Sequence, residues 1–144
     1  MIKPFLAVFF LCFQVFALEG LKIADGRYVA FENNLIDANQ TTLILLPGLY
    51  RGLDLRDAVI QQAKKSNMNF VSLHFSLHPE SLLLTPKNET AYFKSHTYTP
   101  ADFADEVLAL IKSLKIKKPV VVGLSYSSAV TTELAATGKL PLIV

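Results

Sequence analysis

Three short apolar runs constrain this chain more than anything else in it: Thr41 to Leu46 (TTLILL), Asn69 to Phe75 (NFVSLHF) and Pro119 to Val122 (PVVV). They are near-continuous rather than strictly alternating, as expected of strands covered on both faces of a parallel sheet. Between them the apolar period lengthens to that of helices. After the first run, Pro47-Gly48 stops the strand, and a helix over 55–66 follows from an N-cap at Asp54. Leu55, Val59 and Ala63 share its apolar face, and Lys64 and Lys65 lie near its end. Before the third run, Thr99-Pro100-Ala101-Asp102 is a helix start: a capping hydroxyl, proline at the first helical position and an acid at the third. Phe103, Val107, Leu110, Ile111 and Leu114 form that helix's stripe. Residues 125–137 read as another helix, and 140–144 as the start of a further strand.

The order strand, helix, strand, helix, strand, helix, strand predicts an α/β fold, a mostly parallel sheet with helices on both faces. An antiparallel pair precedes it. Leu21, Ile23 and then Tyr28, Ala30 flank Asp25-Gly26, a two-residue hairpin signal, so a hairpin over 21–31 is expected. Residues 33–40 are polar and loop-like. His78 to Tyr98 has no period and contains Pro79 and Pro86. It reads as a long loop with room for one short helix, the kind that is usually functional or mobile.

Residues 1–17 read as a signal peptide. A positive start at Met1-Ile2-Lys3 leads into an apolar run from Phe5 to Phe13, and Val15-Phe16-Ala17 offers small residues for cleavage. The run is too short and too poorly flanked for a spanning helix, and a retained membrane anchor is the alternative to cleavage. The expected mature domain, 18–144, is exported and spans no membrane. Cys12 lies in the leader, so that domain holds no cysteine for disulfides, thiolate metal sites or cysteine catalysis. The net charge of +2 is small, and the cluster Lys115-Ile116-Lys117-Lys118 closes a helix, where cations are expected anyway. No nucleic-acid partner follows. The tripeptides beginning at Asn39 and Asn88 fit glycosylation acceptors.

In a sheet of this kind, function collects at the carboxyl ends of the strands. Two features fall there: Leu46-Pro47-Gly48-Leu49-Tyr50 after the first core strand, and Gly123-Leu124-Ser125-Tyr126-Ser127 after the third. A serine hydroxyl needs a base, an oxyanion hole and access to act as a nucleophile. A tight turn from strand to helix supplies access, and needs small residues two before and two after the serine. Gly123 and Ser127 hold those positions. The start of the following helix favours negative charge near Ser125, and the N–H groups of Tyr126 and Leu49 are candidate oxyanion donors. The other meaning of a serine here is an N-cap.

Read together, the hairpin, the loop LLPGLYRG, the helix YTPADFADEVLALIKSL and the elbow VVVGLSYSS resemble the first two-thirds of an alpha/beta-hydrolase, over 21–144. Two positions depart from that family's pattern: Pro47-Gly48 stands where His-Gly is frequent, and Ser127 replaces the elbow's last glycine. The resemblance implies a serine hydrolase acting on esters, amides or similar acyl compounds, with Ser125 as nucleophile. It also implies that an acid and then a histidine follow the serine, after later strands. Glu133 is the only acid after Ser125, and the histidines all precede it. The chain therefore reads as the N-terminal part of such a fold, an incomplete one. The alternatives are a non-catalytic, degenerate hydrolase-like domain that binds a ligand or partner, and an unrelated small α/β binding domain whose serine is a cap.

Of the earlier histidines, His74 reads as a hydrogen-bonded core residue, while His78 and His96 bound the long loop and are candidates to approach Ser125. Asp102 and Asp105 serve the helix start. No metal-ligand spacing is visible: His74 and His78 are four apart, but Pro79 and the strand pattern argue against a shared helix. No metal and no cofactor is expected. The expected partner is a small acyl substrate, which Leu82, Leu83, Leu84, Tyr92 and Phe93 of the long loop would line and make apolar. The apolar stretch 140–144 is expected to be an edge open to self-association.

Overall fold

The computed structural model describes residues 18–37, 39–48, 55–87, 89, 97–138 and 140. Outside them lie the leader expected at 1–17, Asp54, Leu49, Asn88, Tyr92, Phe93, His96 and all but Leu140 of the strand expected at 140–144. Strands β1 (Glu19–Lys22), β2 (Tyr28–Asn34), β3 (Thr42–Leu45), β4 (Asn69–His74) and β5 (Pro119–Val122) form one sheet in the order β1-β2-β4-β3-β5. Helices α1 (Leu55–Lys65), α2 (Pro79–Leu84), α3 (Pro100–Ser113) and α4 (Tyr126–Ala136) complete the order. The sheet is mixed: β1/β2 and β2/β4 are antiparallel, β4/β3 and β3/β5 parallel. An α/β fold with helices on both faces and an antiparallel N-terminal start is what the apolar runs predict.

β4 lies at the centre and every one of its residues is buried. Its alternate side chains serve two cores. Val71 and Leu73 join Phe31, Ile44, Val121, Phe103, Val107, Leu110, Val130 and Leu134 under α3 and α4. Phe70 joins Leu45, Ile60 and Ala63 under α1. The face of α1 differs from expectation: Val59 is exposed, and Ile60 and Ala63, one turn apart, are the buried pair.

The hairpin also differs. Ile23 N–H donates to Arg27 O (2.9 Å) and Gly26 N–H to Ile23 O (2.9 Å), which encloses three residues rather than two. Only Gly26 needs a positive φ, +92°, the pattern of a turn followed by one left-handed residue. β2 then runs on to Asn34, so Asn33 and Asn34 are strand rather than loop. The loop beyond is fastened by buried Asn69, whose Oδ1 accepts from Ile36 N–H (2.8 Å) and whose Nδ2 donates to Asp37 O (2.6 Å). At Thr99 the capping box forms as read: Thr99 N–H donates to the Asp102 carboxylate (2.8 Å), and Thr99 Oγ1 accepts from Asp102 N–H (3.4 Å).

Candidate active site

The loops after β3 and β5 leave the sheet side by side. Leu45 pairs with Val122, and Leu46 N–H donates to Val122 O (2.9 Å), so the parallel ladder carries Pro47-Gly48 alongside Gly123. Gly48 stands in that loop as expected; Leu49, the second candidate oxyanion donor, lies outside the described residues.

The turn from β5 into α4 is tight enough to exclude a side chain at 123. A Cβ there would stand 2.5 Å from the carbonyl oxygen of Ser127 and 2.7 Å from Thr131 Cγ2, so glycine is required by close approach of strand and helix. Ser127 is fully buried, and its hydroxyl both accepts from Leu124 N–H (2.8 Å) and donates to Leu124 O (2.9 Å). Serine in place of glycine thus closes the turn with two hydrogen bonds.

Ser125 at its apex has φ +60° and ψ −123°, a region that residues with side chains rarely enter. Ser125 occupies the N-cap position of α4, but its side chain makes no capping bond to that helix. Ser125 is exposed, beside Leu124, which is also exposed. Tyr126 follows as the first residue of α4, and its N–H stands outside that helix's own ladder.

Aromatic rings pack beneath the turn. Tyr126 meets Phe103 edge-on (centroids 5.9 Å), Phe103 lies against Phe75 (4.6 Å) and Tyr98 (5.7 Å), and Phe75 meets His78 edge-on (5.9 Å). Two rings, Phe75 and Phe103, therefore link His78 to Tyr126. His74 is buried in β4, as read. α2 packs on β2, and a Cβ on Gly20 of β1 would meet Leu84 Cδ1 at 2.9 Å. Leu84 is therefore seated at the β1 side of the sheet, strands away from Ser125, rather than lining a pocket over it. Leu82 and Leu83 of the same helix are exposed.

Two groupings escape a reading by spacing. The first is a buried ion pair. Arg27 Nη1 donates to Glu106 Oε1 (2.8 Å) and to Asp102 O (3.2 Å), and its Nε donates to Asp25 Oδ2 (2.6 Å). Glu106 also accepts from Ser76 N–H (3.0 Å) and Ser76 Oγ (2.6 Å). Burial pushes the Glu106 carboxyl up to about 7, against the Ser76 hydrogen bonds and the Arg27 charge. Burial also opposes the charge on Arg27, but the Asp25 hydrogen bond and the Glu106 and Asp25 charges outweigh it and hold the guanidinium above its ordinary value. The second grouping is His74, His78 and Glu80. One ligating atom from each lies within 4.8 Å of the others. The two histidines come together through a turn, with His78 N–H donating to Phe75 O (2.8 Å), rather than along a helix.

No helix among the described residues is long and apolar enough to cross a membrane. No protein-family model and no curated protein matches the chain. Solved structures do share its fold. A carboxylesterase of the ammonia-oxidizing thaumarchaeon Nitrososphaera gargenis superposes with a TM-score of 0.67 at 23% identity, over 87% of this chain and 43% of that one. A protein of Agrobacterium vitis S4 assigned as a hydrolase gives 0.57 at 20% identity, over 83% and 47%. One of Burkholderia cenocepacia assigned as an aryl esterase gives 0.56 at 20%, over 88% and 44%. The chain spans less than half the length of each. At such identities the likeness is one of architecture: this chain has an α/β-hydrolase-like fold, with a mixed five-stranded sheet of the kind these hydrolases and esterases carry.

Proposed function

We propose that the chain is the nucleophile-bearing, N-terminal part of an exported serine hydrolase acting on a small ester, amide or related acyl compound. The observation that carries this reading is the backbone of Ser125, held at φ +60° and ψ −123° over a turn packed too closely for any residue but glycine at 123. A serine serving only as a cap has no use for that strain.

In the proposed reaction, Ser125 Oγ attacks the acyl carbon while a base takes its proton. The negative charge that forms on the carbonyl oxygen is met by the N–H groups of Tyr126 and Leu49. Collapse expels the alcohol or amine with a proton and leaves an ester on Ser125, which water cleaves to release the acid. The acid and histidine of the triad are proposed to come from later strands. The match to less than half of each solved neighbour supports reading the chain as part of a longer domain. Export rests on the leader at 1–17, and the edge at 140–144 is the proposed surface for self-association.

The test is labelling with a fluorophosphonate, using protein from its natural source and mapping the modified peptide. Labelling is expected at Ser125 and lost in Ser125→Ala. A Ser125→Ala protein that labels as fully as the parent overturns the assignment.

A further inference from the structure

We infer that His74, His78 and Glu80 form a binding site for a divalent transition-metal ion of the zinc class, at the carboxyl end of β4 and separate from the Ser125 turn. One ring nitrogen from each histidine and one carboxylate oxygen lie within 4.8 Å of one another. His74 Nδ1 and Glu80 Oε2 are 3.3 Å apart. Two ligands on a tetrahedral zinc ion are roughly 3.4 Å apart, given metal–ligand bonds of about 2.1 Å. That pair already stands at the required separation, and a ring nitrogen of His78 lies within 4.8 Å of both.

The donor set fits this class of ion. Two imidazoles and one carboxylate suit zinc and its neighbours, whereas calcium and magnesium take oxygen ligands. The scaffold holds the ligands before any ion arrives. His74 sits in β4, opposite Ala30 of β2, and is buried. Ser81 Oγ donates to His74 O (2.8 Å) and accepts from Ala30 N–H (2.9 Å), which pins the first turn of α2, and Glu80 with it, to the two strands. His78 is held from both sides, its N–H donating to Phe75 O and its carbonyl accepting from Leu82 N–H (3.0 Å). His74 and Glu80 are buried, while His78 is only half-buried, between exposed Leu77 and Pro79. An ion would reach the site from that side and keep a coordination position open to water.

The site would clip α2 to the centre of the sheet. It does not depend on Ser125 being a nucleophile.

The test uses the untagged chain stripped with a chelator, then titrated with Zn²⁺ against a chromophoric competitor and followed in parallel by thermal unfolding. One equivalent of Zn²⁺ is expected to bind and raise Tm, with Ca²⁺ and Mg²⁺ giving no shift. His78→Ala should weaken binding by roughly tenfold or more and remove the Zn²⁺-dependent rise. Its metal-free Tm should stay near that of the parent, because the side chain is half-buried. Glu80→Gln, read the same way, decides the matter if His78→Ala fails to fold. Absence of stoichiometric Zn²⁺ binding, or a folded variant that binds as tightly as the parent, overturns the site.

Discussion

Ser125 is unusual in its backbone before it is unusual in its chemistry. A residue with a Cβ at φ +60° and ψ −123° is strained, and glycine alone enters that region freely. Replacing Ser125 with glycine should therefore stabilise the fold by about 1 kcal/mol, the order of strain such a position stores. Ser125→Ala, which keeps the Cβ, should leave stability nearly unchanged. Denaturant unfolding of the two variants separates these outcomes. A glycine variant less stable than the alanine one would mean the turn is relaxed as it stands. Spacing pointed to Gly123 and Ser125, because a run of valines ending in glycine and serine is visible in the chain. Nothing in it showed that Ser127 would fill a glycine's place through hydrogen bonds to Leu124, since that depends on a turn only a few residues long closing on itself.

Among the elements, α3 is the most legible at its start and the least legible in its interior. Its cap is a local device, written within Thr99 to Asp102, and it formed as read. Its buried Glu106 is not local: the partner Arg27 is 79 positions away, and nothing near position 106 marks an acid that will face inward. The carboxyl titrates near 7 in the folded chain, against an ordinary 4.5. A raised carboxylate pKa means the folded state holds the proton more tightly between those values. The associated stability is full below 4.5 and lost as pH rises through about 7. The change is on the order of 1–3 kcal/mol. Glu106→Gln should remove this group's share of the pH dependence, so that the stability difference between variant and parent changes between pH 5 and 8. A difference that stays constant across that range would place the titration elsewhere. In α1, Val59 and Ile60 offer two apolar faces one residue apart, and only packing against Phe70 and Leu45 decides between them. Ile60→Ala should cost about 2–4 kcal/mol and Val59→Ala well under 1 kcal/mol, as measured by chemical unfolding.

At the scale of the whole molecule, the architecture was readable because each apolar run is long enough for one strand and its flanking helices keep their own period. Strand order was not readable, since it is set by which pairings bury most surface and not by any single residue. The order that results puts β4 in the middle, with neighbours on both edges and a core on both faces. Its amides should be the slowest to exchange with solvent, opening only with global unfolding, while those of β1, paired on one edge only, exchange earlier. Hydrogen-exchange mass spectrometry over 69–74 and 19–22 checks this. Equal protection of the two segments would mean the sheet does not open from its edge.

The close packing at the start of α4 also sorts three chemically identical groups. Ser125, Ser127 and Ser128 lie within four positions, and in an unfolded chain an acylating reagent would find them equivalent. In the folded protein the Ser127 hydroxyl is sealed inside the turn and committed as both donor and acceptor, and that of Ser128 donates to the carbonyl oxygen of Ser125 (2.6 Å). With Ser125 as the proposed nucleophile, discrimination among them would be one of availability rather than intrinsic reactivity, conferred by the same few bonds that hold the turn.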